Sequence, residues 1–408
     1  MATKKKKKTS SVVTNSVQLN GSLFRSSSSA SNSDIWLWGA DNLFPVSLDI
    51  LARSNSIHRG IMKSKAHYIS GKGFAYDDNN VVLDNLVKRA NGKQSLYEVV
   101  KNVIYDKVMT GNAFIEVAIA KGRLLLFHQD ATRCRLSKPD AEGNGGDSVI
   151  ISKDWLHHNK TYDKALPLFP TFEKDSEGVY RSIVHLSDYE PLFEHYGVPA
   201  YVAGIIDARI GSKTSNWNES RLDNSFQLSG VMEVQSSEDT DEELASLKHK
   251  IQSMYAGSSK AGKVLWMIAN DAGGAKFTPI SSSNEGDWAN LHDVSKSDLI
   301  TAHSWFVSLS GLDYSTGLSS DRVLNEYNIA LSTIITPEQT AIIEALRGIL
   351  NVVGIDGSSL EFINKAPIVA KPMYMKVWEA RKADGLDYDP DDEAQNMYLA
   401  NITALNKV

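Results

Sequence analysis

The chain holds a single cysteine, Cys134, among 408 residues, which excludes an internal disulfide framework and any cysteine-based zinc site. Such a chain fits a reducing compartment, or at least does not depend on oxidation. No uninterrupted apolar run approaches the roughly 18–20 residues of a spanning helix, so no membrane partner is expected. The segment after Met1 is lysine followed by Ser and Asn, without the apolar stretch of a secretory signal. An excess of positive charge is also missing: Lys plus Arg is 43 against 49 for Asp plus Glu, a net of −6. Setting aside the five lysines of Lys4–Lys8 leaves −11 on the rest. A body that acidic does not grip phosphate backbones over a broad face. What is present is globular in kind, 42% hydrophobic, 9% aromatic and 23% charged, enough for two or three folded units at about 100–200 residues each.

Catalytic signatures fail one by one. Gly257–Val264 (GSSKAGKV) matches a phosphate-binding loop except at its last position, where Val264 replaces the hydroxyl that would bind Mg²⁺. Its context is reversed as well, helix before and strand after, so no helix N-terminus would point at a phosphate. Asp387, Asp389 and Asp391 have calcium-loop spacing, but Asp392 stands where glycine is needed and Tyr398 where glutamate is needed; a helix capped by Asp389 is the expectation there. The ten histidines lack the i, i+4 pairing of a metalloprotease helix; His292 and His303, 11 apart, can share a helix face, with packing as the default role. Arg133 and Arg135 flank Cys134 and would favour a thiolate, yet no base partners it. No GxSxG elbow exists. The sequence therefore predicts no enzyme active site, no cofactor and no metal.

Residues 1–35 form a basic, Ser-rich arm that cannot bury enough surface to order itself. Residues 36–196 read as an α+β body. Leu48, Leu51, Ile57 and Ile61 recur at helical spacing. Leu96, Val99, Val100, Val103 and Val108 define a helix ended by Gly111-Asn112. Ala113–Ala120, Arg123–Phe127, 148–152 and 179–186 read as strands. A helical stretch, 197–223, precedes residues 224–282, which read as a βαββ insertion: strand 227–234, a helix from 240 to 255 begun by the capping box Thr240 with Glu243, then strands 263–269 and 276–280. A second helix covers 283–308. Residues 309–323 are Ser- and Gly-rich and aperiodic, a loop. A long helix, 324–353, is interrupted at Pro337 by a new cap or a kink. Residues 354–408 close the chain.

That order of parts resembles the portal proteins of tailed double-stranded DNA bacteriophages, over roughly residues 40–350. Leu96–Val117, with Asp106 and the run Gly111-Asn112-Ala113-Phe114-Ile115-Glu116-Val117, is similar to that family's wing helix and strand. Tyr196-Gly197-Val198-Pro199 resembles the start of its first stem helix. Asn224-Ser225-Phe226 followed by Ser229-Gly230-Val231-Met232 resembles its helix-to-clip junction. Leu331–Leu350, with Pro337 and Glu344, resembles its long helix behind the tunnel loop. One departure is the loop Leu309-Ser310-Gly311-Leu312-Asp313, which lacks the usual Val-Pro.

The resemblance implies a non-enzymatic ring, usually of twelve copies, at one capsid vertex of a virion made in a bacterial host's cytoplasm. Double-stranded DNA would pass through it in packaging and ejection, without sequence preference. Its partners would be further copies of itself, the major capsid protein, the terminase large subunit and a head–tail adaptor. Residues 36–196 would be the wing, 197–223 and 283–308 the two stem helices, 224–282 the clip and 309–323 the tunnel loop. The stem residues Arg209, Lys213, Arg221, Asp293, Lys296 and Asp298 would bear on the channel, where the net negative second helix repels phosphates. Asp313, Tyr314, Ser315, Thr316, Ser319, Ser320 and Arg322 of the tunnel loop would make weak contacts with DNA. Glu238, Asp239, Asp241, Glu242 and Glu243 would form the acidic docking face for terminase, although a solvated helix start favoured by the dipole reads equally well.

Overall fold

The computed structural model describes residues 34–139, 145–155, 163–223, 230–235, 265–269, 276–279, 285–311, 320–367, 375–383 and 386–399. Two helices open the body. α1 (Phe44–Ser54) carries Pro45 in its first turn, where the missing N–H costs nothing, and α2 (Ser56–Ser70) is capped by Asn55. Strand β1 (Phe74–Ala75) and helix α3 (Val81–Lys88) lead to α4 (Leu96–Thr110). Ser95 and Glu98 close a capping box at its start, and Gly111 ends it in the left-handed conformation.

The strands that follow explain the apolar run in the sequence. β2 (Asn112–Ala120) is central in a four-stranded sheet, between β3 (Arg123–Gln129) and β8 (Tyr180–Ser187), with β7 (Glu173–Lys174) at the edge. Ala113, Ile115 and Val117 face a core shared with α2, α4 and the later long helix, while Phe114 faces a second core with Trp38, Phe44 and Tyr201. A strand covered on both faces has no solvent side to alternate with. Its one charge, the buried Glu116, accepts from Lys164 at 2.6 Å, Arg181 at 2.7 Å and Gln129 at 2.5 Å. A second sheet joins β4 (Cys134–Leu136), β5 (Ser148–Ile151) and β6 (Lys164–Pro167).

Helix α5 (Ile205–Asp223) then leaves the body, after Pro199 and a short 3₁₀ turn, Val202–Gly204. Beyond it lies a three-stranded sheet in which β9 (Gly230–Gln235) is central, parallel to β10 (Leu265–Ala269) and antiparallel to β11 (Lys276–Pro279). All three strands expected in the insertion are present; its expected helix from 240 to 255 lies outside the described residues. Helix α6 (Glu285–Ala302) returns to the body along α5. α7 (Ser320–Ala330), a π-helical turn (Leu331–Ile335) and α8 (Thr336–Val352) follow, then β12 (Glu361–Phe362) on β1, and α9 (Val377–Ala383).

Four expectations need correction. The interruption of the long helix is neither cap nor simple kink. Pro337 lacks an N–H and its ring would strike the carbonyl four residues back, and the preceding turn widens so that Thr336 N–H bonds to Leu331 O. Helix α7 starts at Ser320, inside the expected loop, so Ser320 and Arg322 are helical; Arg322 pairs with Glu326 one turn on, at 2.8 Å. No helix runs from Asp389. Asp389 and Asp392 instead accept from the amides of Asp391 and Ala394, turn bonds that compete with a helix. Cys134 is no thiolate. It is fully buried, which pushes its thiol well up, and the Arg135 guanidinium is spent on Asn42 and on backbone carbonyls.

Candidate functional site

The two strings Gly111-Asn112 and Tyr196-Gly197, 85 residues apart in the chain, lock together where the body meets α5. Asn112 donates to Gly197 O and accepts from Gly197 N, both at 2.8 Å. Gly111 O accepts from Asp188 N at 2.8 Å. At Gly111 the backbone has φ +72°, and a Cβ there would lie 2.5 Å from the carbonyl carbon of Val198, so glycine is required twice over. Tyr196 donates to Trp36 O and accepts from Leu136 N, which ties the segment around Trp36 to the same place. Tyr201 donates to Met109 O at 2.6 Å. Asp106 is buried, bonded to His128 at 2.7 Å and to Ala131 N–H at 2.8 Å, and burial raises its carboxyl despite His128. Its role is to hold α4 on β3.

Both long helices root in this knot. Asn55 caps α2 by accepting from His58 N at 2.9 Å and, through its amide, donates to Ala208 O of α5 at 2.8 Å. Gly204 lets α5 meet the end of α6: a Cβ there would sit 2.7 Å from Ala302 Cβ. His303, just past α6, is buried 2.8 Å from His58 and stacks on Tyr201, while Lys65 donates to its carbonyl at 3.1 Å. Burial holds both imidazoles well below their ordinary range, His58 down to about 4, so the pair is neutral. The packing role expected for His303 is the one observed.

A buried cation completes the root. Lys107 of α4 reaches both Asp188 and Glu338, the latter at 2.7 Å in the first turn of α8. Burial pulls its ammonium down, but the two carboxylates more than offset this and raise it. Burial likewise raises Asp188, opposed by Lys107. The buried Lys65 stands close by and is pushed down, by burial first.

The sequence-predicted stem charges divide. Arg209 and Lys213 are exposed on α5 and border a groove of about 400 Å³ whose floor is Phe44, Leu48, Leu51 and Ile205. Asp293 and Asp298 are exposed on α6, and Lys296 is half-buried. Burial and the neighbouring Asp298 raise the carboxyl of Asp207, so α5 and α6 bring two acids together. Arg221 lies on α5, with its side chain outside the described residues. Asp313, Tyr314, Ser315, Thr316 and Ser319, the side chain of Ser320, and the acidic run Glu238, Asp239, Asp241, Glu242 and Glu243 also lie outside them. Among the described residues no group of three or more His, Cys, Asp or Glu is arranged to hold a metal, and no helix is long and apolar enough to cross a membrane. Sequence reasoning missed Asn55, Lys107, Asp188 and Gly204. Only Lys107 carried a signal, a charge inside an otherwise apolar helix face.

The phage portal protein family model matches residues 60–305. A probable portal protein of Haemophilus phage HP1 (strain HP1c1) is 25% identical over 282 residues, 66% of this chain and 70% of that protein. An uncharacterized protein of Rickettsia bellii (strain RML369-C) is 26% identical over 209 residues, 50% of this chain and 48% of that protein, so the chain spans about half that relative's length. Among solved structures, a chain from the virion of a native gene transfer agent particle aligns with a TM-score of 0.49 and 17% identity, covering 85% of this chain and 94% of that one. An HK97 family phage portal protein from Corynebacterium diphtheriae aligns with a TM-score of 0.42 and 11% identity, over 78% and 93%. The match over 60–305 takes in most of α2, the whole sheet of β2, β3, β7 and β8, and both α5 and α6, and the chain belongs to the phage portal protein family.

Proposed function

We propose that copies of this chain close into a ring, twelve in number by the habit of the family, at one vertex of a capsid, and that double-stranded DNA passes through its channel. The observation that carries this reading is the family match across 60–305, together with two helices that leave and re-enter one root around a small sheet. In this reading α5 and α6 are the stem, and the sheet of β9, β10 and β11 belongs to the clip. Asp293 and Asp298 keep the channel from holding phosphates, while Arg209, Lys213 and Arg221 meet a neighbouring α6 or the DNA itself. Residues 309–319 serve as the tunnel loop and Glu238–Glu243 as the face for the terminase large subunit. The ring also meets the major capsid protein and is the platform for a head–tail adaptor. Hydrolysis belongs to the terminase, so this chain works as a passage and a platform without catalysis of its own.

The test is the mass and symmetry of the purified chain, by light scattering and negative-stain electron microscopy at physiological salt. Rings of about a dozen subunits with a central hole are expected. A monomer that binds nucleotide or metal tightly would overturn the reading.

A further inference from the structure

Two features of the body are unused by anything above, and they complement each other. The first is a projecting turn. Leu192 is 92% exposed and Tyr189 88%, unusual for large apolar side chains in a body with two well-formed cores. Glu190 and Phe193 bridge the turn, with Phe193 N–H bonded to Glu190 O at 3.1 Å, and Leu192 stands at the tip with φ +72°, a strained conformation for a leucine. The turn is stiff because both ends are anchored: Asp188 to Lys107 and Gly111 O, His195 by stacking on Trp36 at 3.8 Å. It also carries two exposed carboxylates, Glu190 and Glu194.

The second feature is a groove of about 410 Å³ between α2 and α4, lined by Lys63, Ala66, His67, Lys101, Asn102 and Tyr105. No carboxylate lines it. Arg59, Lys63 and His67 follow one another at four-residue steps along α2, and among the described residues neither Arg59, Lys63 nor Lys101 pairs with an acid. His67 is pushed down by burial and by Lys72 and Lys101 beside it, which marks the positive potential of the place.

Turn and groove lie on opposite sides of the same helical layer. At about 100° per residue, Lys101, Asn102 and Tyr105 share one sector of α4, and Lys107, which anchors the turn through Asp188, lies roughly 170° from its centre. On α2, Lys65 faces the Asp188 side and lies roughly 150° from the centre of Lys63, Ala66 and His67. A surface on one side and its complement on the other is what a head-to-tail contact requires, whereas a two-fold dimer needs a patch that complements itself.

We propose that the turn 189–194 of one subunit seats in the α2–α4 groove of the next. Tyr189 and Leu192 lie against Ala66 and Tyr105, and Glu190 and Glu194 face Arg59, Lys63 and Lys101. A stiff, anchored turn loses little freedom on seating, which favours a specific contact. The proposal rests on the ring reading and names the contact that closes the ring.

The test uses charge reversal in the full-length chain. One variant carries Glu190→Lys and Glu194→Lys, the other Lys63→Glu and Lys101→Glu. All four side chains are exposed, so each variant is expected to melt as the wild type does. Each alone is expected to give at least roughly tenfold less ring than the wild type at equal concentration, because like charges now meet at every contact. An equimolar mixture is expected to recover rings, since turns of one variant suit grooves of the other in alternation. Wild-type rings accompanied by normal rings from either variant alone, or by no recovery in the mixture, would overturn this contact and leave the ring standing. A wild type that stays monomeric overturns this contact, and one that also binds nucleotide or metal tightly overturns the ring reading with it. Leu192→Ser, at a fully exposed tip, provides a second route: it is expected to weaken the ring without changing the melt, and unchanged rings count against the proposal.

Discussion

Lys107 and Glu338 stand 231 residues apart in the chain and 2.7 Å apart in the fold, on α4 and on the first turn of α8. With Asp188 they form a three-membered charge cluster in which the cation is the most buried member. Lys107→Met leaves two carboxylates facing each other without their cation, and the expected loss is about 2–3 kcal/mol, at or below the bottom of the range for a broken buried pair because both acids keep some solvent. Urea unfolding measures it. Lys107→Met combined with Glu338→Gln is expected to recover part of the loss, and a single variant as stable as wild type would show that the cluster contributes nothing.

The His58–His303 pair makes stability depend on pH. Their folded pKa values lie below the ordinary 6.5, His58 at about 4. The unfolded chain therefore takes up protons that the folded one refuses. Stability is fully present above about pH 6.5 and is lost as the pH falls toward 4, by up to about 1.4 kcal/mol per pH unit for each histidine. Denaturant midpoints at pH 7.5 and pH 5 are expected to differ in that direction, and the difference to shrink in His303→Phe. Equal midpoints in the wild type would rule out the pair as the source.

Gly111→Ala places a methyl group on the Val198 carbonyl and forces a left-handed backbone on a residue that resists it. A fall in stability of about 2 kcal/mol or more is expected, read as a lower melting temperature, together with faster hydrogen exchange at Asp188, whose amide bonds Gly111 O. Gly122→Ala is a useful contrast, with a similar positive φ but open space around it, and is expected to cost less.

Cys134 is expected to react with a thiol reagent only when the fold opens. It is fully buried and its thiol is pushed up, so native protein should be inert over hours and unfolded protein should react with one equivalent. Rapid reaction of the native protein would contradict the packing around β4.

The elements that were legible in the sequence are those whose signal is local. The apolar face of α4 with its stop at Gly111, the apolar run of β2 broken only by Glu116, and the turn Lys121-Gly122 between β2 and β3 all report on contacts a few residues away. The root of α5 and α6 was not legible, because its bonds join Asn55 to Ala208, Asn112 to Gly197 and Lys107 to Glu338, pairs separated by 85 to 231 residues. The error at Asp389 has the opposite cause: the local signal, an acid before a proline, was real, and side-chain bonds to nearby amides satisfied it without a helix. At Pro337 the sequence marked the place, but the π turn depends on how the helix on either side is held.

Because Gly204 touches Ala302, the chain leaves the body and comes back at nearly the same point. Everything between them is an excursion with closed ends, and the body's own core is completed mostly by residues outside it. Closing such an excursion costs little more when it is long than when it is short, about 0.6 kcal/mol for each doubling of length. The two parts of the molecule are therefore free to change at different rates: the excursion can lengthen, shorten or alter its far tip to suit a new partner while the body that carries it keeps its sequence.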